Sequence, residues 1–168
     1  MKLNDMMRAQ HVKRFHIVNT TKSQSVAEHS FNVALIARAI AIKMGFDSEN
    51  IDKVTLAAMF HDMDEVITGD IPTPTKLRFK EKGMDLNDNG IEVPYQSGSD
   101  SVNRIVKMAD YIEAAWFLEE NGSGRHAESV LADIEAKMEE FIQSTFSLKE
   151  ATSAYQVLQE LNQAEFTI

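Results

Sequence analysis

Four side chains of the 168-residue sequence have the types needed to hold a divalent cation: His29, His61, Asp62 and Asp110. His61 and Asp62 are adjacent, at the end of an apolar run containing Val54, Leu56 and Phe60. His29 falls in the first turns of a segment that opens with a helix cap, where the helix dipole disfavours an imidazolium. A neutral imidazole is the form a metal requires. Asp110 interrupts the apolar stretch RIVKMADYIEAAWF, on a helical stripe with Val102, Ile105, Val106 and Ala109. It either faces the core, where a carboxylate needs a cation or a hydrogen-bond partner, or turns to solvent beside Lys107.

Glu65 stands four residues after His61, so the three side chains of His61, Asp62 and Glu65 can share one helical face. A carboxylate next to an activated water is what a general acid or base requires. Two imidazoles and two carboxylates make a borderline-to-hard donor set. It suits Mn²⁺, Co²⁺, Fe²⁺, Ni²⁺, Mg²⁺ or Zn²⁺. The chain has no cysteine, which excludes thiolate ligands and disulfides. A bound cation of this kind would acidify water and polarise a phosphoryl oxygen.

The elements that must position these residues read as helices. Loose apolar spacing over residues 3–15 (Leu3, Met6, Met7, Val12, Phe15) fits an amphipathic helix. Ser25-Val26-Ala27-Glu28 is a capping box. It opens a helix with a stripe through Phe31, Leu35, Ile36, Ile40 and Met44, closed by Gly45. Asp47 or Ser48 caps a helix that runs into His61-Asp62. VITGDIPTPTK, with a glycine and two prolines, reads as a loop or short turns. Residues 78–99 read as a mobile loop or broken helix. A long helix is expected from Asp100 to Asn121-Gly122 and another over 125–146. A second capping box at Ser147–Glu150 opens the last. No strand alternation is present, so the fold class expected is all-α, one domain over residues 1–168.

Composition limits the function. Hydrophobic residues make up 43% and charged residues 26%, which is globular and not disordered. The net charge of −9 argues against a nucleic-acid polymer as partner. No apolar run approaches the roughly 18 residues of a membrane helix. The N-terminal stretch lacks a signal-peptide apolar region and reads as mature protein. A cytoplasmic protein is expected.

The order H…HD…D resembles the HD superfamily of metal phosphohydrolases. The strings SVAEHS, HDMDEVITGDIPTPTK and KMAD are similar to a narrower group: small bacterial 5′-deoxynucleotidases and bacteriophage dATP triphosphohydrolases. The likeness covers about residues 10–118 and implies an HD-type helical bundle. It implies that His29, His61, Asp62 and Asp110 ligate the metal. Glu65 would position or deprotonate the attacking water, with Asp70 supporting that transfer or the sugar end. Arg14, Lys76 and Lys107 would face substrate phosphates, and Phe15, Ile17 and Pro74 would form the base and sugar pocket. Without the resemblance, the three cations read equally as surface charge, and Phe15 and Ile17 as core. Phe15 stands where the bacterial nucleotidases usually carry Trp, which bears on sugar and base selection.

The resemblance implies a deoxynucleotide as small-molecule substrate and a homo-oligomer, a dimer or a hexamer. The segment Arg14–Ile17 and the short chain favour a dNTP triphosphohydrolase of dATP type over a 5′-deoxynucleotidase. A signalling- or cyclic-nucleotide hydrolase, and a non-catalytic helical binding module, are the readings from other classes. The full set of four ligands plus Glu65 disfavours the last.

Overall fold

The computed structural model describes residues 1–84 and 90–163. In chain order the helices are α1 (Leu3–Met6), a 3₁₀ turn (Met7–Gln10), α2 (Val26–Lys43), α3 (Ser48–Phe60) and α4 (Glu65–Thr68). They continue with α5 (Thr73–Glu81), α6 (Asp100–Asn121), α7 (Arg125–Thr145) and α8 (Leu148–Leu161). The described residues form no sheet; two isolated antiparallel bridges, Lys13 to Ser25 and Thr20 to Gly122, are the extended pairings. The all-α expectation holds.

At the centre, α2 packs against α3 and α6, with α7 and α8 closing around them. The Ser25–Glu28 capping box forms as expected: the Ser25 N–H donates to Glu28 at 2.8 Å and the Glu28 N–H to the Ser25 hydroxyl at 3.2 Å. Gly45 (φ +80°) ends the helix. Phe46 N–H reaches back to Ala41 O at 3.1 Å and Gly45 N–H to Ile42 O at 3.0 Å, a Schellman closure. Asp47 caps α3 through Asn50 N–H at 2.8 Å, and Ser147 caps α8 with its own box. Ile40, Ile105, Met108 and Ile112 are fully buried in the shared core. Each such side chain contributes roughly 1.5–3 kcal/mol relative to exposure.

Four expectations are corrected. The helix over 3–15 stops at residue 10, because Val12 and Arg14 pair with the backbone before α2. Arg14 N–H donates to Gln24 O at 2.9 Å and Val26 N–H to Val12 O at 2.9 Å. So short a helix has little stability of its own, and this pairing prevails over it. Second, Phe31 and Leu35 are exposed (58% and 53%), so the α2 stripe is offset from the one the large residues suggest. Ala34, Ala37 and Ala41 are buried instead, where small side chains let α3 and α6 approach. Leu56 on α3 is likewise exposed.

Third, the Pro-Thr-Pro-Thr-Lys segment is no loop but the start of α5. Pro72 is its N-cap and Pro74 lies in its first turn, where a missing N–H costs no helical bond. Fourth, the span 78–99, expected as a mobile loop or a broken helix, begins inside α5, which continues to Glu81. Residues 90–99 are non-helical up to the start of α6 at Asp100, and residues 85–89 lie outside the described residues. Among the described residues α5 has no buried side chain.

Candidate metal centre and substrate cavity

His29 occupies the second turn of α2 and has no exposed surface. The capping box sets its height on the helix, and its own N–H bonds back to Ser25 O at 3.0 Å. His61 is the C-cap of α3, and its Nδ1 bonds to Ala58 O at 2.7 Å. A carbonyl can only accept, so His61 Nδ1 donates to it and Nε2 is the nitrogen turned toward Asp62. The rings of His29 and His61 lie 5.2 Å apart.

The His29 Nε2 is 3.4 Å from Asp62 Oδ2 and 3.3 Å from Asp110 Oδ1. His61 Nε2 is 3.3 Å from the same Asp62 oxygen. The four residues singled out from the sequence therefore converge from α2, the end of α3 and α6. Ligand atoms of His29, His61 and Asp110 all fall within 4.8 Å of one another, the spacing of a His/Asp metal-site candidate. The Nε2 atoms of both histidines are buried and have no hydrogen-bond partner. Such orphaned nitrogens facing carboxylates fit a divalent cation on donor chemistry.

Electrostatics follow from this crowding. Burial opposes charge on His29 and Arg14 adds to that, but the carboxylates of Asp110, Asp62 and Glu113 crowded around the ring outweigh both and push it up to about 10. At His29 the helix dipole, which disfavours an imidazolium, is thus opposed by three nearby carboxylates. Burial raises Asp62, yet His61 and His29, both facing its carboxylate, hold it well below the usual carboxylate range. Burial also raises Asp110, and Lys107 and His29 hold it low. Lys107 Nζ is 2.8 Å from Asp110 Oδ2. Both alternatives for Asp110 are thus partly realised, one oxygen on Lys107 and the other on His29.

Glu65 opens α4 after a turn, so it does not continue the α3 helix as the spacing argument assumed. It is 6% exposed, its Oε2 has no partner, and Lys76 Nζ lies 3.7 Å from its Oε1. Burial foremost, then the charges of Asp62 and Asp70, push its pKa up to about 8.

A cavity of about 720 Å³ opens beside these groups, within the size range of small-molecule sites. His61, Asp62, Glu65, Asp70 and Asp110 line one part of it. Arg14, Phe15, Ile17, Pro74, Lys76 and Lys107 line the rest of the predicted set. His29 sits behind this wall. Arg14 and Phe15 arrive because the 11–25 loop is paired with itself at its base, Arg14 N–H to Gln24 O at 2.9 Å, and is tied to the end of α6 at its far side, where Thr21 N–H bonds Asn121 O at 2.8 Å and Ser123 N–H bonds Asn19 O at 2.9 Å. Phe15 adopts φ +52° and stacks on Phe117 at 5.6 Å, with Arg14 5.2 Å over its ring. Strain of this kind persists only where surroundings over-determine it.

Sequence reasoning missed three contributors. Glu113 is fully buried and bonds His29 Nδ1 at 2.6 Å. Gln24 and Asn32 hold its other oxygen at 2.6 and 3.0 Å. The signal was present: Glu113 shares the apolar stripe of Val106, Ala109 and Phe117, so the reasoning applied to Asp110 applies to it equally. The face of α7 that carries Val130, Ile134 and Lys137 also lines the cavity, as does the stretch from Ile91 to Ser97.

An all-helical bundle with an HD pair and this His/Asp cluster defines an HD-type phosphohydrolase scaffold. A solved structure with the same fold is the cyanophage S-2L HD phosphohydrolase bound to dA and one catalytic Zn²⁺ ion. It has a TM-score of 0.77 at 24% identity over 96% of each chain. Residues 3–93 match the 5′-deoxynucleotidase YfbR-like family, and the chain belongs to that family. Among its relatives, a dATP triphosphohydrolase of Salmonella phage PMBT28 is 36% identical over 148 residues, covering 82% of this chain and 76% of its own. A 5′-deoxynucleotidase of Photorhabdus laumondii is 42% identical over 69 residues, which cover 39% of this chain and 34% of its own. No described helix is long and apolar enough to cross a membrane.

Proposed function

We propose that this protein is a metal-dependent dNTP triphosphohydrolase with dATP as its favoured substrate, releasing deoxynucleoside and triphosphate. The observation that carries the chemistry is the pair of orphaned imidazole nitrogens facing Asp62 and Asp110 beside the cavity. Supporting the triphosphate are three cations on that cavity, Arg14, Lys76 and Lys107, and the long match to the phage enzyme.

In this reading His29, His61, Asp62 and Asp110 hold the cation. When bound, it supplies Lewis acidity that polarises a phosphoryl oxygen, acidifies water and draws Glu65 back toward its ionised form. The chain's own groups do the rest. Glu65 Oε2, buried and without a partner, takes a proton from the attacking water. Asp70, facing the same cavity, supports that transfer or the sugar end. Arg14, Lys76 and Lys107 neutralise the phosphate chain, and charge-assisted contacts of this kind are the strong ones. Phe15, Ile17 and Pro74 give apolar surface for base and sugar. The whole chain, residues 1–168, acts as one domain, and the substrate is a small molecule rather than a polymer. The family's habit points to a homo-oligomer in the cytoplasm of a bacterium or infected host.

The second reading is a 5′-deoxynucleotidase, favoured by the family match over residues 3–93. Both readings break the same ester bond beside the nucleoside, so the product distinguishes them. Incubation of dATP and dAMP with Mn²⁺, Co²⁺ or Zn²⁺ should release triphosphate from dATP. Release of phosphate from dAMP alone would assign the second reading, and no turnover of any nucleotide would leave a binding module.

A further inference from the structure

We propose that Glu113 is a positioning residue that couples the cation to the phosphate end of the cavity. It aims His29 at the cation and keeps Arg14 from capturing Asp110. The inference rests on the functional reading above. Glu113 has no exposed surface and does not line the cavity, so it acts through other residues.

A carboxylate offers about four lone-pair positions; three are filled by hydrogen bonds here, and the Arg14 guanidinium stands beside the fourth as an ion pair without a hydrogen bond. Oε2 accepts from His29 Nδ1 at 2.6 Å and faces Arg14 at 3.5 Å. Oε1 accepts from Gln24 at 2.6 Å and Asn32 at 3.0 Å. The proton on His29 Nδ1 leaves the Nε2 lone pair toward Asp62 and Asp110. Without this acceptor the proton can shift to Nε2, and the ring loses its ligand atom on the cation side. The two histidines differ in this respect. His61 is aimed by a backbone carbonyl, Ala58 O, which no substitution removes. His29 is aimed by side chains alone.

Arg14 makes the second half of the coupling. Its guanidinium sits between Glu113 at 3.5 Å and Asp110 at 4.0 Å and is only 12% exposed. If Glu113 loses its charge, Asp110 is the remaining carboxylate at Arg14. An arginine drawn onto Asp110 competes with the cation for the same oxygen. One buried carboxylate therefore protects two ligands at once. Carboxylate partners behind metal-bound histidines are a general device, and removing them typically costs about 10–100-fold in metal affinity.

The test uses the full chain, stripped of metal, titrated with Co²⁺ by calorimetry and visible absorption. Wild type should bind one Co²⁺ per chain. Glu113→Gln, which keeps the volume, should bind about 10–100-fold more weakly. Asn32→Ala removes a half-buried donor to Glu113 and should weaken binding in the same direction by less. In the Zn²⁺-loaded protein, proton NMR should show two hydrogen-bonded imidazole Nδ1–H signals. With its amide oxygen kept by the Gln24 and Asn32 donors, Glu113→Gln turns its NH₂, a donor, to His29, so it should lose the His29 signal and keep that of His61. Unchanged Co²⁺ affinity in both variants with wild-type binding intact would overturn the inference. If Glu113→Gln does not fold, unchanged affinity in Asn32→Ala decides against it. A wild-type chain that binds no divalent cation would instead bring down the functional reading beneath it.

Discussion

Replacing Glu65 by Gln should stabilise the metal-free protein at neutral and alkaline pH while removing most of its activity. Glu65 is 6% exposed, and burial with the charges of Asp62 and Asp70 carries its pKa from 4.5 to about 8. The folded state thus holds the proton more tightly than the unfolded chain. Between these two values the native protein binds more protons, so stability falls as pH rises. Below 4.5 the effect is absent; above about 8 it is complete. At 1.36 kcal/mol per pH unit, the ionised carboxyl costs on the order of 5 kcal/mol. Gln has the same shape and no charge, so it escapes that penalty. The assay is urea denaturation of both proteins in chelator from pH 5 to pH 9. Their difference should be near zero at the acid end and grow by several kcal/mol toward the alkaline end. Because the other titrating groups are common to both proteins, they largely cancel. A difference that stays flat with pH would show that Glu65 is ionised at little cost, and the reasoning about its burial would be wrong. The same variant should lose about 10²–10⁴-fold in kcat if the carboxylate accepts the water proton. Stability gained where activity is lost is the expected mark of a strained functional group.

His61→Ala should abolish both turnover and Co²⁺ binding, and near-normal activity would remove the HD pair from the mechanism. Arg14→Ala should chiefly raise KM for dATP; an unchanged KM in steady-state kinetics would argue against phosphate contact. Ile112→Ala removes a fully buried side chain from the α6 face of the core and should cost about 2–5 kcal/mol in chemical denaturation. A loss below 1 kcal/mol would mean that the helices collapse onto the gap.

Much of the fold and half of the site could be read before any coordinates. The Ser25–Glu28 and Ser147–Glu150 boxes, the Asp47 cap and the Gly45 stop are local chemistry within a few residues. The α6 stripe of Val102, Ile105, Val106, Ala109 and Ile112 was legible because one side of that helix is continuously buried. Asp110 stood out because it interrupts an apolar stripe, His61-Asp62 because the pair ends an apolar helix, and His29 because it lies in the first turns of a capped one. Donor chemistry narrowed the metal to divalent cations of borderline or hard character, and the reaction class came from the resemblance carried by H…HD…D and its flanking strings. The path of residues 11–25 was not legible. Its hydrogen bonds run to Asn121 and from Ser123, about a hundred residues away in sequence, and no local period encodes them. The same holds for Phe31 and Leu35, whose exposure depends on where α3 and α6 press against α2. Glu113 shows the division most clearly. Its placement on an apolar stripe belongs to the sequence. Its partners, Gln24, His29 and Asn32, lie more than eighty positions away. A hydrogen-bond network at that separation exists only once the chain has folded, so tertiary structure alone determines which way His29 faces.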